Sequence, residues 1–404
     1  MGRRDKPGDD GVGLVRAISE STMALDADAL KSQARAATGL SDFGDAPLDE
    51  GLSRFVAALN EREHEPRALA AAERTILGLL VERLRLEDWI GRHPEVLDEP
   101  IERPVFVTGL PRSGTTALSQ FLSEDPAARS IRRWELLNAV PPPAKDPFGD
   151  PRIEATRKTF AARDAAMPDL SILLPVGAED PSEHGMVLAL TSLSFHLPMM
   201  HHAQAYQDWL LQADFRPAYR YMRRVLQVLQ SRTGAPHWNL KNPNDIFSLD
   251  ALVAEFPDAR LVWCHRDPAS SVPSNCSLLT MLRLNAGEQV DKIELGRTKL
   301  AVLADGVRRA MAARDRIGDS RFADVYQREL VEDTPGVVER LYARLGLPFS
   351  DAYRARLTNR VTERSDQLAG KAHRHELADF GLSLGGIRRE FGDYIERFKP
   401  PRSA

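Results

Sequence analysis

Val105-Phe-Val-Thr-Gly-Leu-Pro-Arg-Ser-Gly-Thr-Thr116 is the stretch from which the rest of the chain is best read. Residues 105–108 form a short apolar, β-rich run closed at once by Gly109, a strand followed by a turn. Beyond the turn, Leu118, Phe121 and Leu122 mark the apolar face of a helix. Gly109 and Gly114, five residues apart, let the backbone wrap, so that successive N–H groups converge on an anion at the helix N-terminus. Ser113, Thr115 and Thr116 add hydroxyl donors, and Arg112 places a cation inside the loop. The strand and helix on either side make this signal much stronger than the glycine spacing alone. In a nucleotide triphosphatase of this kind a lysine and a Ser/Thr follow the second glycine, to reach the terminal phosphates and hold magnesium. Thr115 stands in the lysine's place. The loop therefore suits a ligand whose transferred group carries less charge and needs no metal.

Working outward, two further runs, Trp238-Asn-Leu240 and Leu261-Val-Trp-Cys264, read as strands. Helical patterns over residues 219–229 and 246–256 separate them. Strands alternating with helices predict a parallel sheet with right-handed crossovers. The expected fold class is α/β: a P-loop-type parallel β-sheet flanked by helices, with a helical N-terminal extension. Residues 1–13 read as frayed, and from Leu14 to about Pro100 the pattern is helical. Leu52, Phe55, Val56 and Leu59 form one apolar stripe, and Ile76, Leu79, Leu80, Leu84 and Leu86 another, before Gly91 and Pro94 close the run. The chain thus divides into a helical segment, residues 1–100, packing on a ligand-binding α/β domain, residues 101–404. Residues 141–151 read as a loop.

The 404 residues carry 54 Lys+Arg against 58 Asp+Glu, a net charge of −4, which argues against a general nucleic-acid binder. A small basic pocket for one anionic ligand remains compatible with it. The two cysteines, Cys264 and Cys276, make neither a structural zinc site nor a disulfide framework, and a reducing, cytoplasmic setting is the expectation. The N-terminus has no apolar core after its arginines, unlike a signal peptide. The longest apolar stretch, residues 186–200, is too short to span a bilayer and contains His196 and Pro198. It reads first as core, and second as the wall of a pocket for an apolar ligand.

With these motifs in place, the chain resembles the sulfotransferases that use 3′-phosphoadenosine 5′-phosphosulfate (PAPS), over roughly residues 101–400. Pro111-Arg-Ser-Gly-Thr-Thr116 is similar to their 5′-phosphosulfate loop, which assigns Arg112, Ser113, Gly114, Thr115 and Thr116 to that group. His265-Arg-Asp-Pro268 follows the strand at residues 261–264, and Arg266 with Ser274, eight residues on, matches the family's 3′-phosphate clamp. Gly370-Lys-Ala-His-Arg-His375 resembles a basic family segment, through which Lys371 and Arg374 would reach the same phosphate. The N-terminal helices look like those of bacterial members acting on small molecules.

Sulfuryl transfer, as the resemblance implies it, needs a base for the acceptor, a cation for the leaving phosphate and no metal. Lys241, in Leu-Lys-Asn-Pro243, is the candidate cation, with Arg112 sharing its work. Glu135, in Arg132-Arg-Trp-Glu135, is the first candidate base, on the model of a glutamate in the tyrosylprotein and bacterial glycolipid branches. Glu183 competes with it, as do His184, His196, His201 and His202, since histidine serves in the steroid and phenol branches. Asp245, Gln327 and His375 depart from residues common in the family, at positions for adenine and acceptor contacts. The expected acceptor is a hydrophobic alcohol or phenol, a small molecule or lipid. A P-loop phosphotransferase using ATP and a non-catalytic nucleotide-binding scaffold are the alternatives.

Overall fold

The computed structural model describes residues 24–62, 64–234, 237–368 and 375–402. Its centre is a five-stranded sheet: β1 (Val105–Gly109), β2 (Ala128–Arg129), β3 (His237–Lys241), β4 (Arg260–His265) and β5 (Phe322–Tyr326), in the order β2-β3-β1-β4-β5. Every pairing is parallel. Val107 lies opposite Lys241, Gly109 opposite Cys264, and His265 opposite Tyr326. The carboxyl ends of β1, β3 and β4 therefore finish along one edge, where open α/β sheets bind ligands.

The strands sit between two apolar cores, which explains their continuous rather than alternating hydrophobicity. Phe106, Leu240, Leu261 and Trp263 face one core, shared with the helices Ala27–Thr38, Asp49–Asn60 and Pro66–Arg92. Val105, Val107, Val262 and Val325 face the other, with Leu118 and the helix Thr334–Leu345. Both apolar stripes of the N-terminal helices are buried in the first core.

Differences from the sequence reading have local causes. β5 is disguised by Asp324, whose carboxylate is satisfied by His265 Nε2 at 2.8 Å and Arg314 Nη2 at 2.9 Å. β2, only two residues long, is too short to read. The pattern over residues 246–256 splits into a tight turn, Pro243–Phe247, and the helix Leu249–Glu255, because Asn242 Oδ1 caps the turn by accepting from the Asn244 N–H. The stretch 186–200 is not one helix: Ser192, at φ 53°, breaks it between Gly185–Leu188 and His196–Met200. No described helix is long and apolar enough to cross a membrane.

Candidate active site

β1 delivers the loop at a point where no side chain fits. Gly109 has φ 139°, and a Cβ there would lie 2.4 Å from the Cys264 carbonyl oxygen. Gly114, at φ 95°, turns the chain into the helix Thr115–Leu122, whose first turn has no side-chain cap. Arg112 between them takes the left-handed region at φ 71°, a conformation that costs a non-glycine residue about 1–3 kcal/mol. Its side chain holds it there: Nε donates to Ser274 Oγ at 3.1 Å and Nη1 to the Leu173 carbonyl at 2.9 Å. Ser113 is buried beneath the loop, and its hydroxyl has no partner among the described residues.

Arg266 leaves the end of β4, where Asp267 caps the helix Pro268–Ala286 that carries Ser274. Arg266 Nη1 donates to the Arg112 carbonyl at 2.9 Å, stitching β4 to the loop, while its Nε has no partner among the described residues. A third guanidinium, Arg364, arrives from the helix Asp351–Leu368 and donates to Gln120 Oε1. Among the described residues none of the three forms an ion pair; all their acceptors are neutral. Burial, with repulsion from Arg266 and Arg364 added, pulls Arg112 down to about 10. Such a concentration of unpaired positive charge destabilises the ligand-free protein and favours an anion.

Among the described residues, the only carboxylate lining the same cavity is Glu183. Lys241, the last residue of β3, donates to Glu183 Oε1 at 2.7 Å and to Thr116 Oγ1 at 3.4 Å. Glu183 Oε2 makes no hydrogen bond among the described residues, and His196 Nδ1 lies 3.8 Å from it. Burial by itself would raise Glu183, but Lys241, His196 and Arg133 outweigh it and hold the carboxyl at about 2. Burial draws Lys241 below the ordinary lysine value in spite of its partner. The pair is placed by a buried network. The His184 N–H donates to the Lys241 carbonyl at 3.1 Å, and His184 Nε2 meets Asp245 at 3.0 Å. Tyr219 and Asn242 each donate to Asp245 at 2.8 Å.

The loop, Arg266, Arg364 and Glu183 line a cavity of about 700 Å³. Its cationic side is the loop with Arg266 and Arg364; its apolar side includes Leu173, Leu174, Met199, Leu278 and Val361. Arg112, Gly114, Thr115, Thr116 and Arg266 line it directly, and Ser113, Ser274 and Lys241 lie against those residues. Glu135 is not brought there. Its Oε1 accepts from Arg129 Nη2 at 2.8 Å, its Oε2 from the Arg132 N–H at 2.8 Å, and its side chain is 1% exposed. The cation at ion-pair distance from it among the described residues is thus Arg129, with the Arg132 guanidinium acting on it only at longer range. His184 is held by Asp245, His201 Nε2 meets Thr75 Oγ1 at 3.1 Å, and His202 lines a separate polar cleft with Glu288. Lys371 and Arg374 lie outside the described residues. Sequence reasoning missed Arg364, Asn244 and Asn275. Asn275 follows Ser274 directly, a signal that was available; Arg364 sits on a polar helix with several other arginines and gave none.

A parallel α/β sheet whose central strand feeds a wrapped anion loop, with cations at neighbouring strand ends, defines a P-loop-type transferase. Residues 104–351 match the sulfotransferase family model, and the chain belongs to that family. The crystal structure of sulfotransferase STF9 from Mycobacterium avium superposes with a TM-score of 0.86 at 31% identity, covering 95% of this chain and 99% of that one. For sulfotransferase STF1 from Mycobacterium tuberculosis H37Rv the TM-score is 0.81 at 30% identity, over 92% and 99% of the two chains. The omega-hydroxy-beta-dihydromenaquinone-9 sulfotransferase Stf3 of Mycobacterium bovis is 24% identical over 305 residues, 73% of this chain and 74% of its own length.

Proposed function

We propose that this sulfotransferase takes its sulfuryl group from PAPS and passes it to the hydroxyl of a hydrophobic small molecule or lipid. The observation that carries this reading is the cavity's three guanidinium groups, each held, among the described residues, by neutral acceptors only. A nucleotide bearing a 3′-phosphate and a 5′-phosphosulfate supplies the missing counter-charge. The unpartnered Ser113 hydroxyl and Arg266 Nε, with the uncapped first turn of the loop helix, fit such a ligand.

When bound, PAPS supplies an activated sulfuryl group and a phosphate leaving group. The loop's N–H groups with Ser113, Thr115 and Thr116 would hold the phosphosulfate, and Arg266 with Ser274 the 3′-phosphate. Lys371 and Arg374 belong to the same clamp by resemblance. We assign the base to Glu183 rather than Glu135, because Glu183 lines the cavity, is ionised, and keeps Oε2 open to an acceptor hydroxyl. Lys241 Nζ, which donates to Glu183 and Thr116, would stabilise charge on the leaving side, with Arg112 sharing that work. The apolar wall and the hydroxylated menaquinone in the name of the Stf3 relative support a lipid-like acceptor.

Thermal shift gives a first test: adenosine 3′,5′-bisphosphate without magnesium should stabilise the protein, and Mg-ATP should not. Labelled PAPS with a panel of alcohols and phenols, read by mass spectrometry, should yield a sulfated product. Stabilisation by Mg-ATP alone would overturn the proposed donor.

A further inference from the structure

The helix Asp351–Leu368 presents two arginines one turn apart, and they are treated differently. Arg360 is ion-paired to Asp180, with Glu124 Oε1 3.8 Å away. It fastens the helix to the segment that leads into Glu183. Arg364 lines the cavity, is part-buried, and among the described residues has no acid partner at ion-pair distance. Its one acceptor among the described residues is Gln120 Oε1. Gln120 is itself buried on the loop helix, and its Nε2 donates to the Pro175 carbonyl at 3.1 Å, which fixes which end of the amide faces the guanidinium.

Arg360 spends its charge on a carboxylate, whereas Arg364, steered by a neutral amide at the wall of a cavity, keeps its charge for an anion there. Arg364 and Arg112 line the same cavity, and the charge of Arg364 adds to the burial that lowers Arg112, so both guanidiniums act on one enclosed space. Arg364 lies beyond residues 104–351, outside the stretch that matches the family.

We propose that Arg364, oriented by Gln120, is an oxyanion-binding residue of this cavity on the loop-helix side, taking a phosphate or sulfate oxygen together with Arg112. This rests on the cavity being the donor site. The oxygen belongs either to the donor or to an acidic group on the acceptor, and the measurements separate these sources.

The test compares wild type, Arg364→Gln and Arg364→Lys, each checked for cooperative unfolding. Binding of adenosine 3′,5′-bisphosphate and of PAPS is measured by calorimetry. KM is measured for a neutral long-chain alcohol and for an ω-hydroxy fatty acid. A charge-assisted contact corresponds to a loss of about 10-fold or more in Arg364→Gln, largely kept in Arg364→Lys. If nucleotide affinity falls while the neutral acceptor's KM holds, the oxygen is the donor's. If nucleotide affinity holds and only the hydroxy acid's KM rises, it is the acceptor's. Arg364→Gln within about twofold of wild type in every measurement overturns the proposal. Failure of wild type to bind the bisphosphate would refute the donor reading instead. Inorganic sulfate then decides Arg364: stabilisation lost in Arg364→Gln upholds it, and equal stabilisation overturns it.

Discussion

Glu183–Lys241 and Glu135–Arg129 are two ion pairs of nearly equal length, 2.7 and 2.8 Å, built from similar sequence material. Their surroundings make them different objects. Both Glu135 oxygens are engaged, and its partner Arg129 is consumed in turn: the guanidinium lies 4.8 Å over the Trp238 ring and donates to the Leu229 carbonyl. Glu183 leaves one oxygen open, at the wall of a cavity, and its lysine also reaches a loop hydroxyl. Pairing distance says nothing about function here; access and unfilled hydrogen-bonding capacity do. Glu82 completes the comparison. It is buried with no cation at ion-pair distance, Oε1 accepting from the Ala139 N–H and Oε2 without a partner among the described residues.

The largest effect should come from Glu183→Gln, which keeps the shape and removes the proposed base. Turnover should fall about 10²–10⁴-fold with nucleotide binding retained. Near-normal turnover would erase the contrast and return the role to Glu135 or a histidine. Lys241→Met should cost about 10²–10³-fold in kcat. It also leaves burial unopposed by the lysine, so the acid limb of the rate profile should move to higher pH. In wild type, burial lowers Lys241, and the protonated form is lost as pH rises through that lowered value. The alkaline limb should therefore lie below the ordinary lysine value of about 10.4, and Lys241→Arg should push it upward.

Glu135→Gln tests the other pair. Stranding the Arg129 charge should cost about 3–5 kcal/mol in denaturant unfolding, with kcat per folded molecule nearly unchanged. The smallest effect belongs to Glu82. Burial raises it from 4.5 to about 7. A carboxyl raised on folding costs stability as pH climbs from its unfolded value to its folded one, and that cost is complete above pH 7. Glu82→Gln should accordingly gain up to about 3 kcal/mol at pH 8 and nothing below pH 4. Equal unfolding curves at both pH values would refute this.

The loop was legible because its chemistry is local: Gly109, Gly114 and the hydroxyls between and after them fix a backbone shape without help from distant residues. Lys241 and Arg266 were legible for a related reason, since each closes or follows a readable apolar strand. β5 was not, because Asp324 looks unfit for a buried sheet until His265 and Arg314 are seen to satisfy it. Choosing among the acids was beyond the sequence as well. Trp134 and two arginines beside Glu135 look like an active-site setting, and only packing shows that Arg129 and the Arg132 N–H fill it.

The sequence by itself determined the α/β class, the anion loop and the sulfotransferase resemblance. The first two rest on short-range backbone geometry and on apolar period, which adjacent residues specify, and the resemblance rests on the motif residues themselves. The tertiary structure alone decided which carboxylate is open, that three arginines share one cavity with no carboxylate partner among the described residues, and that Arg364 is one of them. Those are questions of burial and long-range charge, settled by residues that meet only when distant segments pack together.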